Sequence, residues 1–414
     1  MSASLVSAAA RKGLYYGWVV VGTLAATETI SWGILYYAFA AFLVPMQQEL
    51  GWSTAALTGA YSLALLISGL AALPVGRWVD RRGPRLLMTL GSIGGALLLV
   101  AWARVEALPA FYLLWAAMGL VLAATLYEPA FTVVAVWFRQ ARSRALLLLT
   151  FVAGFASTIF LPVATALIER AGWRQALVIL AIFLAATTIP AHALILRRRP
   201  EDLGLQPDGA PPAAAARTGP DEREGVSLHT ALREHAFWWL TAAFFFGTLS
   251  SVAVAVHLIP FLLHGGYSPG FAALATGLIG ATQVAARVVV TAAGSRVSAV
   301  PLTAAVFALQ GAAVLILLGW RQASGVLLAV VLLGAGRGAV TLMRATLIAE
   351  RYGRTHYGAI GGTLAFFVSG AAALAPVGAG VAYQLAGGYP PVFAGLAGIS
   401  GLAALAMLGM WRWG

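Results

Sequence analysis

Long apolar runs, separated by short polar gaps, fill almost the whole chain of 414 residues. A run of about 20 apolar residues is long enough to cross the hydrocarbon core of a bilayer as an α-helix. The pattern predicts spans one to twelve near residues 14–44, 54–75, 84–103, 108–136, 143–168, 174–196, 236–263, 269–293, 298–319, 323–349, 357–383 and 390–411. We therefore expect an all-α membrane protein.

The basic residues between the spans predict their orientation. With the N-terminus placed in the cytoplasm, nineteen of the 26 Lys and Arg residues fall in cytoplasmic segments and only four in outer loops. The other three, Arg287, Arg337 and Arg344, lie within spans. Because cytoplasmic loops carry an excess of Lys and Arg, both termini are expected on the cytoplasmic side of the membrane.

The longest polar stretch separates spans six and seven, and its Pro, Gly, Ala and charged residues are typical of a flexible linker. Segments that begin at Gly51 and Gly266 look alike once a three-residue insertion is allowed, which favours a duplicated architecture. The predicted parts are an N-terminal six-helix bundle at 1–196, a cytoplasmic linker at 197–227 and a C-terminal six-helix bundle at 228–414.

Composition narrows the class of protein further. Hydrophobic residues make up 61% of the chain and charged residues only 10%, whereas soluble domains carry about 25% charged residues. The absence of cysteine excludes disulfides and thiol nucleophiles. The net charge of +12 is explained by the loops between spans, so no nucleic-acid partner is predicted. No catalytic constellation, metal site or cofactor site is evident, and we do not expect an enzyme.

The stretch GRWVDRRGPR, at residues 76–85 between spans two and three, resembles a signature of the major facilitator superfamily. That resemblance implies the superfamily fold, with twelve transmembrane helices in two pseudo-symmetric six-helix halves. It also implies a conformational latch, formed by Gly76, Asp80, Arg81, Gly83 and Arg85. Asp80 would accept hydrogen bonds from a helix N-terminus or from an arginine. The alternative, that these charges only set the topology, explains the arginines but not the spacing of the aspartate and glycines.

Five further motifs resemble the monocarboxylate porter branch and its bacterial relatives, which include oxalate/formate antiporters. They are YYGWVVV (15–21), VWFRQARSRAL (136–146), RRRPEDLGLQPDG (197–209), VHLIPFLLHGGYSP (256–269) and RYGRTHYGAIGG (351–362). The resemblance covers almost the whole chain. It implies transport of a small organic anion across a bacterial inner membrane, by a protein that is usually a monomer.

Span eight carries Arg287, with Gln283 one helical turn before it on the same face. An arginine in the middle of a span is costly, so such residues normally face a bundle interior or a water-filled path. Monocarboxylate porters carry an aspartate and an arginine at this spacing, and the resemblance assigns Arg287 to the substrate carboxylate. Gln283 replaces the aspartate. A structural ion pair of Arg287 with Glu28 or Glu128 is the alternative.

The remaining candidates lie on spans one, four, seven and ten, which line the central cavity in the superfamily fold. Glu28, Glu128 and His257 are candidates for proton coupling, because their protonation can respond to an anion bound nearby. The alternative role of Glu28 and Glu128 is an ordinary salt bridge, and that of His257 is a hydrogen bond to a neighbouring span. Candidates for substrate contact are Arg337, which is flanked by two glycines, together with Tyr36 and Tyr127.

We therefore expect a secondary transporter that moves a small organic anion, such as lactate or pyruvate, in symport with a proton by alternating access. Two alternatives stay open: a proton-antiport exporter of drug-like or amphipathic compounds, and an anion exchanger of the oxalate/formate type. The predicted partners are the organic anion, the proton and the lipid bilayer.

Overall fold

The computed structural model describes residues 15–209, 225–294 and 298–413, and all regular elements in these ranges are helical. The long helices are Tyr16–Ser31, Phe39–Leu50, Thr54–Arg82, Pro84–Trp102, Leu108–Thr125, Tyr127–Trp137, Arg142–Ala153, Ala156–Ile195, His235–His264, Pro269–Gly294, Ala299–Gly319, Ala323–Tyr352, Tyr357–Ala386 and Tyr389–Trp413. Five of the nineteen basic residues that predict the orientation lie outside the described ranges, namely Arg11, Lys12, Arg217, Arg223 and Arg296, and so do residues 210–224 of the predicted linker.

By length and apolarity, eleven helical stretches of the described chain are able to cross a membrane. The longest of them, Arg142–Ile195, has 54 residues and contains both predicted spans five and six. Gly172 divides it, with φ 78° and ψ 159°, a conformation that residues with a side chain rarely adopt. Counting the two sides of Gly172 separately confirms the twelve predicted spans.

The chain forms two compact units. The first comprises residues up to Ser227 together with Tyr352–Phe366, and the second comprises Leu228–Arg351 and the chain from Phe367 onward. Each unit has its own apolar core. Trp102 and Trp115, with ring centroids 5.0 Å apart, lie in the core of the first unit, and Phe393 lies in that of the second.

The start of the predicted linker is folded, so the expectation of a flexible chain is wrong for residues 200–209. Two short 3₁₀ turns form there, and Asp208 adopts φ 60° in the second one. The Asp208 carboxylate accepts hydrogen bonds from the backbone N–H groups of Arg139 (2.8 Å), Gln140 (2.9 Å) and Ala141 (3.1 Å). These groups lie in the turn that precedes the helix at the start of span five, so Asp208 fixes the backbone of that turn with charge-assisted hydrogen bonds.

Candidate functional site

The signature motif lies mostly on a helix and not in a loop as expected. Span two continues to Arg82, because the polar end of the motif extends the helix beyond the apolar run. The chain turns only at Gly83, which has φ 79°. The Asp80 carboxylate accepts hydrogen bonds from the backbone N–H groups of Gly358 (2.9 Å) and Ala359 (2.8 Å). Both donors belong to the first turn of the helix Tyr357–Ala386, so Asp80 caps span eleven.

Glycines beneath this cap bring two helix backbones into contact. A Cβ atom added to Gly76 would overlap the carbonyl oxygen of Gly358, and one added to Gly362 would overlap the carbonyl oxygen of Ala72. All four residues belong to the first compact unit. Arg81 and Arg85, by contrast, are exposed. The aspartate and the glycines thus hold span eleven against span two.

Glu28, on span one, is completely buried. Within the described chain neither of its carboxyl oxygens makes a hydrogen bond of full geometry. The Trp32 indole N–H, one helical turn further on, is near enough to act on the carboxyl group as a donor, and the Glu128 carboxylate acts on it as a like charge. Charging a buried carboxyl group without a cation beside it is costly.

Span one changes its helical geometry directly after Glu28. Residues Trp32–Tyr37 form a π-helical turn, in which the backbone N–H of Ala38 donates to the carbonyl oxygen of Gly33 at 2.8 Å. A π turn has more residues than an α turn, so residues four and five positions apart flank one another. Trp32 therefore contacts both Tyr36 (ring centroids 4.9 Å apart) and Tyr37 (6.0 Å). Such turns occur frequently at functional sites.

Span four is also interrupted, next to the π turn of span one. It consists of two helices, Leu108–Thr125 and Tyr127–Trp137, separated by Leu126 in an extended conformation. Pro129 explains the break, because it has no N–H for the Thr125 carbonyl and its ring would clash with that carbonyl. Span four is therefore kinked beside Glu128. Glu128 lies in the first turn of the second helix, and the Tyr127 ring lies 4.9 Å from that of Trp32.

In the second unit, spans eight and ten are in backbone contact beside the predicted substrate residues. A Cβ atom on Gly338 would overlap the carbonyl group of Gln283, and one on Gly334 would lie 2.6 Å from the carbonyl oxygen of Ile279. Arg287 follows Gln283 by one helical turn and is only 6% exposed. Arg337 directly precedes Gly338 and is half-buried. The two arginines are therefore carried by helices that touch.

Gln310, on span nine, was not singled out from the sequence. It is 2% exposed, and within the described chain neither its amide nitrogen nor its amide oxygen has a hydrogen-bond partner. A Cβ atom on Gly336 would lie 2.8 Å from the Gln310 amide nitrogen, so this amide is next to the segment that carries Arg337. The signal that could have identified it is a single amide side chain within an apolar span.

His257 connects three helices of the second unit. Its Nε2 lies 3.0 Å from the carbonyl oxygen of Pro376 on span eleven, and its Nδ1 lies 3.5 Å from the hydroxyl of Tyr389 on span twelve. Because a carbonyl only accepts, Nε2 carries the proton of the neutral ring. The hydrogen-bonding alternative for His257 is thus present in the structure, with Nδ1 left as an acceptor toward the Tyr389 hydroxyl.

The predicted residues fall into two groups, one in each compact unit. In the first unit, which also contains the Asp80 cap, Tyr36 and Tyr127 contact Trp32. Glu28 lies one helical turn before Trp32, and Glu128 acts electrostatically on Glu28. The second unit holds Gln283, Arg287, Arg337 and His257. Trp32 and Tyr61 are the aromatic residues of the first group that sequence reasoning missed, since a tryptophan in an apolar span gives no signal of its own.

Comparison with known proteins agrees with this architecture. A family profile described as Major Facilitator Superfamily matches residues 23–320. A search of curated protein sequences gives no match.

Solved structures of transporters are similar over almost the full chain. FucP, in the outward conformation, has 17% sequence identity and a TM-score of 0.73, over 96% of this chain and 99% of FucP. A bacterial homologue of the iron transporter ferroportin has 14% identity and a TM-score of 0.71, over 97% and 99%. The human organic anion transporter MFSD10 has 18% identity and a TM-score of 0.66, over 95% and 97%. At these identities the similarity concerns the fold.

Proposed function

Since the chain belongs to the Major Facilitator Superfamily, whose model matches more than half of it, we propose that it carries a small organic anion together with a proton. The carrier is a multi-pass membrane protein that works by alternating access. We place it in a bacterial inner membrane, as a monomer with both termini in the cytoplasm. A monocarboxylate is the substrate that its cationic residues favour.

The observation that carries this proposal is the burial of Arg287. A guanidinium that is 6% exposed on a helix of the bundle is costly. Such groups normally meet a partner of opposite charge or line a water-filled path, and a substrate anion can be that partner. Its planar fork offers two parallel N–H donors, which match the two oxygens of a carboxylate. Gln283, on the same face, adds an amide that can donate a further hydrogen bond. Arg337, on the touching helix, gives a dicarboxylate a second cation.

Glu28 supports the coupling to a proton. Its buried carboxyl group is stable when it is protonated, and charging it without a partner would be costly. A change in the surroundings that brings water or a cation to Glu28 therefore releases the proton. Glu128, which acts on it electrostatically, and His257 in the second unit are the further members of this proposed coupling set.

The Asp80 cap supports a conformational role for the signature motif. Two charge-assisted hydrogen bonds and two glycine contacts hold the start of span eleven, and both kinds of contact need close approach of the backbones. Alternating access requires contacts that form in one state and separate in the other. We assign this latch to Gly76, Asp80, Gly83 and their basic neighbours Arg81 and Arg85.

The fold leaves the cargo open. FucP of E. coli is a fucose:proton symporter, MFSD10 is an organic anion transporter, and the ferroportin homologue was solved with soaked iron. The choice of an anion for this chain rests on its own residues, and among these structural neighbours MFSD10 transports the same class of substrate.

Uptake of radiolabelled lactate, pyruvate, acetate and oxalate into proteoliposomes tests the proposal, with and without an inward proton gradient. We expect gradient-driven uptake of at least one anion, which Arg287→Ala abolishes and Arg287→Lys weakens because an ammonium lacks the bidentate fork. Arg104→Ala is the matched control, since Arg104 is an exposed arginine in the predicted outer loop after span three.

Undiminished uptake by Arg287→Ala, with the control also active, would make Arg287 a structural residue and refute the proposal. Uptake of none of these anions by the wild type would move the assignment to the exporter alternative.

A further inference from the structure

Exposed arginines lie together in the first unit, where span two meets span three and where span six ends. We call them the arginine patch, which consists of Arg81, Arg82, Arg85, Arg198 and Arg199. A Cβ atom on Gly83, in the turn between spans two and three, would lie 2.8 Å from the Cβ atom of Arg198, so the ends of these spans adjoin. The Tyr16 hydroxyl senses both ends, because Arg197 and Arg85 act on it electrostatically. The arginines therefore form one basic surface and not two separate ones.

Acidic side chains balance little of the charge of the arginine patch. Asp80, the carboxylate nearest to it in sequence, uses both oxygens for backbone N–H groups of span eleven. Among the described residues, the one salt bridge to the patch joins Arg199 to Asp202 at 4.0 Å, and an exposed pair of this kind is weak. The Arg82 guanidinium lies 4.5 Å from the centroid of the Trp78 ring, which orients the cation without cancelling its charge. The patch thus keeps a net positive charge on an accessible surface.

An exposed apolar stripe on span three begins directly beside the arginine patch. Its members are Leu86 (55% exposed), Leu90 (54%), Ile93 (37%) and Leu97 (65%). Their spacing of four, three and four residues places them on one face of the helix. Because span three is long and apolar enough to cross the membrane, this face is expected to contact acyl chains. The arginines therefore cap a lipid-facing stripe at the end where it reaches the membrane surface.

We propose that the arginine patch and the stripe bind an anionic phospholipid such as phosphatidylglycerol, with its phosphodiester among the arginines and its acyl chains along span three. A guanidinium offers two parallel N–H donors to a phosphate, and basic clusters at the membrane surface attract anionic lipids. The alternative is that these arginines only set the topology, in which case no lipid is preferred. The inference concerns the first unit alone and is independent of which substrate the protein carries.

Native mass spectrometry of the full-length protein, released from detergent, measures the affinity for single lipid molecules. The probes are phosphatidylglycerol and zwitterionic phosphatidylcholine with identical acyl chains, and soluble glycerol phosphate as a competitor. We expect phosphatidylglycerol to bind about tenfold more tightly than phosphatidylcholine, because only its net charge is negative. Glycerol phosphate at millimolar concentration is expected not to displace it, since it has no acyl chains for the stripe.

Variants locate the effect at the arginine patch. Arg82→Gln/Arg198→Gln is expected to weaken phosphatidylglycerol binding by about tenfold and to leave phosphatidylcholine binding within about twofold. Arg82→Lys/Arg198→Lys keeps the charges and should retain most of the affinity. The matched control is Arg104→Gln/Arg170→Gln, which removes two charges from exposed arginines in the predicted outer loops and should leave both affinities unchanged. Retained phosphatidylcholine binding shows that a variant is folded.

Three results would overturn the lipid site. Equal wild-type affinities for the two lipids, or an unchanged phosphatidylglycerol affinity in Arg82→Gln/Arg198→Gln, would leave the arginines as topology determinants only. Equal weakening by the control variant would mean that the lipid responds to the net charge of the protein and not to this surface. Displacement by glycerol phosphate would assign the arginine patch to a soluble phosphate compound. Failure of anion uptake would contradict the proposed function and leave the lipid site untouched.

Discussion

Replacing Asp80 by asparagine tests whether this single carboxylate holds the start of span eleven. The aspartate uses both oxygens, one for the Gly358 N–H at 2.9 Å and one for the Ala359 N–H at 2.8 Å. Asparagine keeps one acceptor but places its NH₂ group against the other backbone N–H. Asp80→Asn therefore loses one bond, weakens the second, and removes a negative charge from a helix N-terminus.

The expected cost follows from these losses. A hydrogen bond to a charged group contributes about 1.5–3 kcal/mol, and a charge at a helix end contributes about 0.3–1 kcal/mol. Because Asp80 is only half-buried, water replaces part of what is lost. We take a cost of about 2 kcal/mol for the substitution. This shifts the equilibrium between the capped and the released start of span eleven by roughly thirtyfold toward release.

The chain contains no cysteine, so two spin labels can be attached without a background. Labels at Arg77→Cys on span two and Phe366→Cys on span eleven lie on exposed positions of the first unit. Pulsed electron paramagnetic resonance should give one narrow distance distribution with Asp80. It should show a second, longer component with Asp80→Asn.

Asp202→Asn is the control for this experiment. Asp202 is about half exposed and meets Arg199 at 4.0 Å, an ion pair that contributes little to stability. If Asp80→Asn gave the same distribution as the control, the cap would not hold the helix, and the latch assignment would be wrong.

Variants at Gly338, Asp208 and Glu28 should also have measurable effects. Gly338→Ala should lower the melting temperature, because overpacking against Gln283 costs about 1–3 kcal/mol. Gly280→Ala is the control, since a Cβ atom there meets open space. It should be neutral or should stabilise span eight by up to about 1 kcal/mol. Asp208→Ala should lower the melting temperature by removing hydrogen bonds to a charged group, each of which contributes about 1.5–3 kcal/mol when buried and less here near the surface. Asp208→Asn should lower it less, because asparagine keeps one acceptor and tolerates φ 60°. Glu28→Gln should abolish stimulation of uptake by a proton gradient and preserve exchange of anion across the membrane, both measured in proteoliposomes.

Each of these has a result that contradicts it. Equal melting temperatures for the two glycine variants would mean that spans eight and ten tolerate separation. Asp208→Ala at the wild-type melting temperature would show that the linker contact does not stabilise the fold. Gradient-stimulated uptake by Glu28→Gln would remove Glu28 from the coupling set.

Apolar periodicity predicted the number of spans well, because the bilayer requires about 20 apolar residues for each crossing. It predicted their ends poorly. Span two was expected to end near residue 75, but a helix ends where a residue stops it, and Gly83 is that residue here. Residues 200–209 have the Pro and Gly content of a loop, yet Asp208 and Glu201 find partners far away in sequence, at Arg139 and Arg354.

The candidate site was predictable where a residue is out of place in lipid. Glu28, Glu128, Arg287 and Arg337 were recognisable because charged residues in spans are rare. The contacts of Trp32 with Tyr36, Tyr37 and Tyr127 were not predictable. They depend on the π turn at Trp32–Tyr37, and no short-range rule predicts where an α-helix widens.

The coupling of one proton to one anion is the central claim, and the driving force for uptake tests it most directly. Proteoliposomes would be given either an inward proton gradient at zero membrane potential or a potassium–valinomycin potential at equal pH. A monovalent anion moving with one proton carries no net charge, so we predict uptake that follows the pH gradient and ignores the potential. Uptake that follows the potential alone, or that requires an anion inside the vesicles, would contradict proton–anion symport.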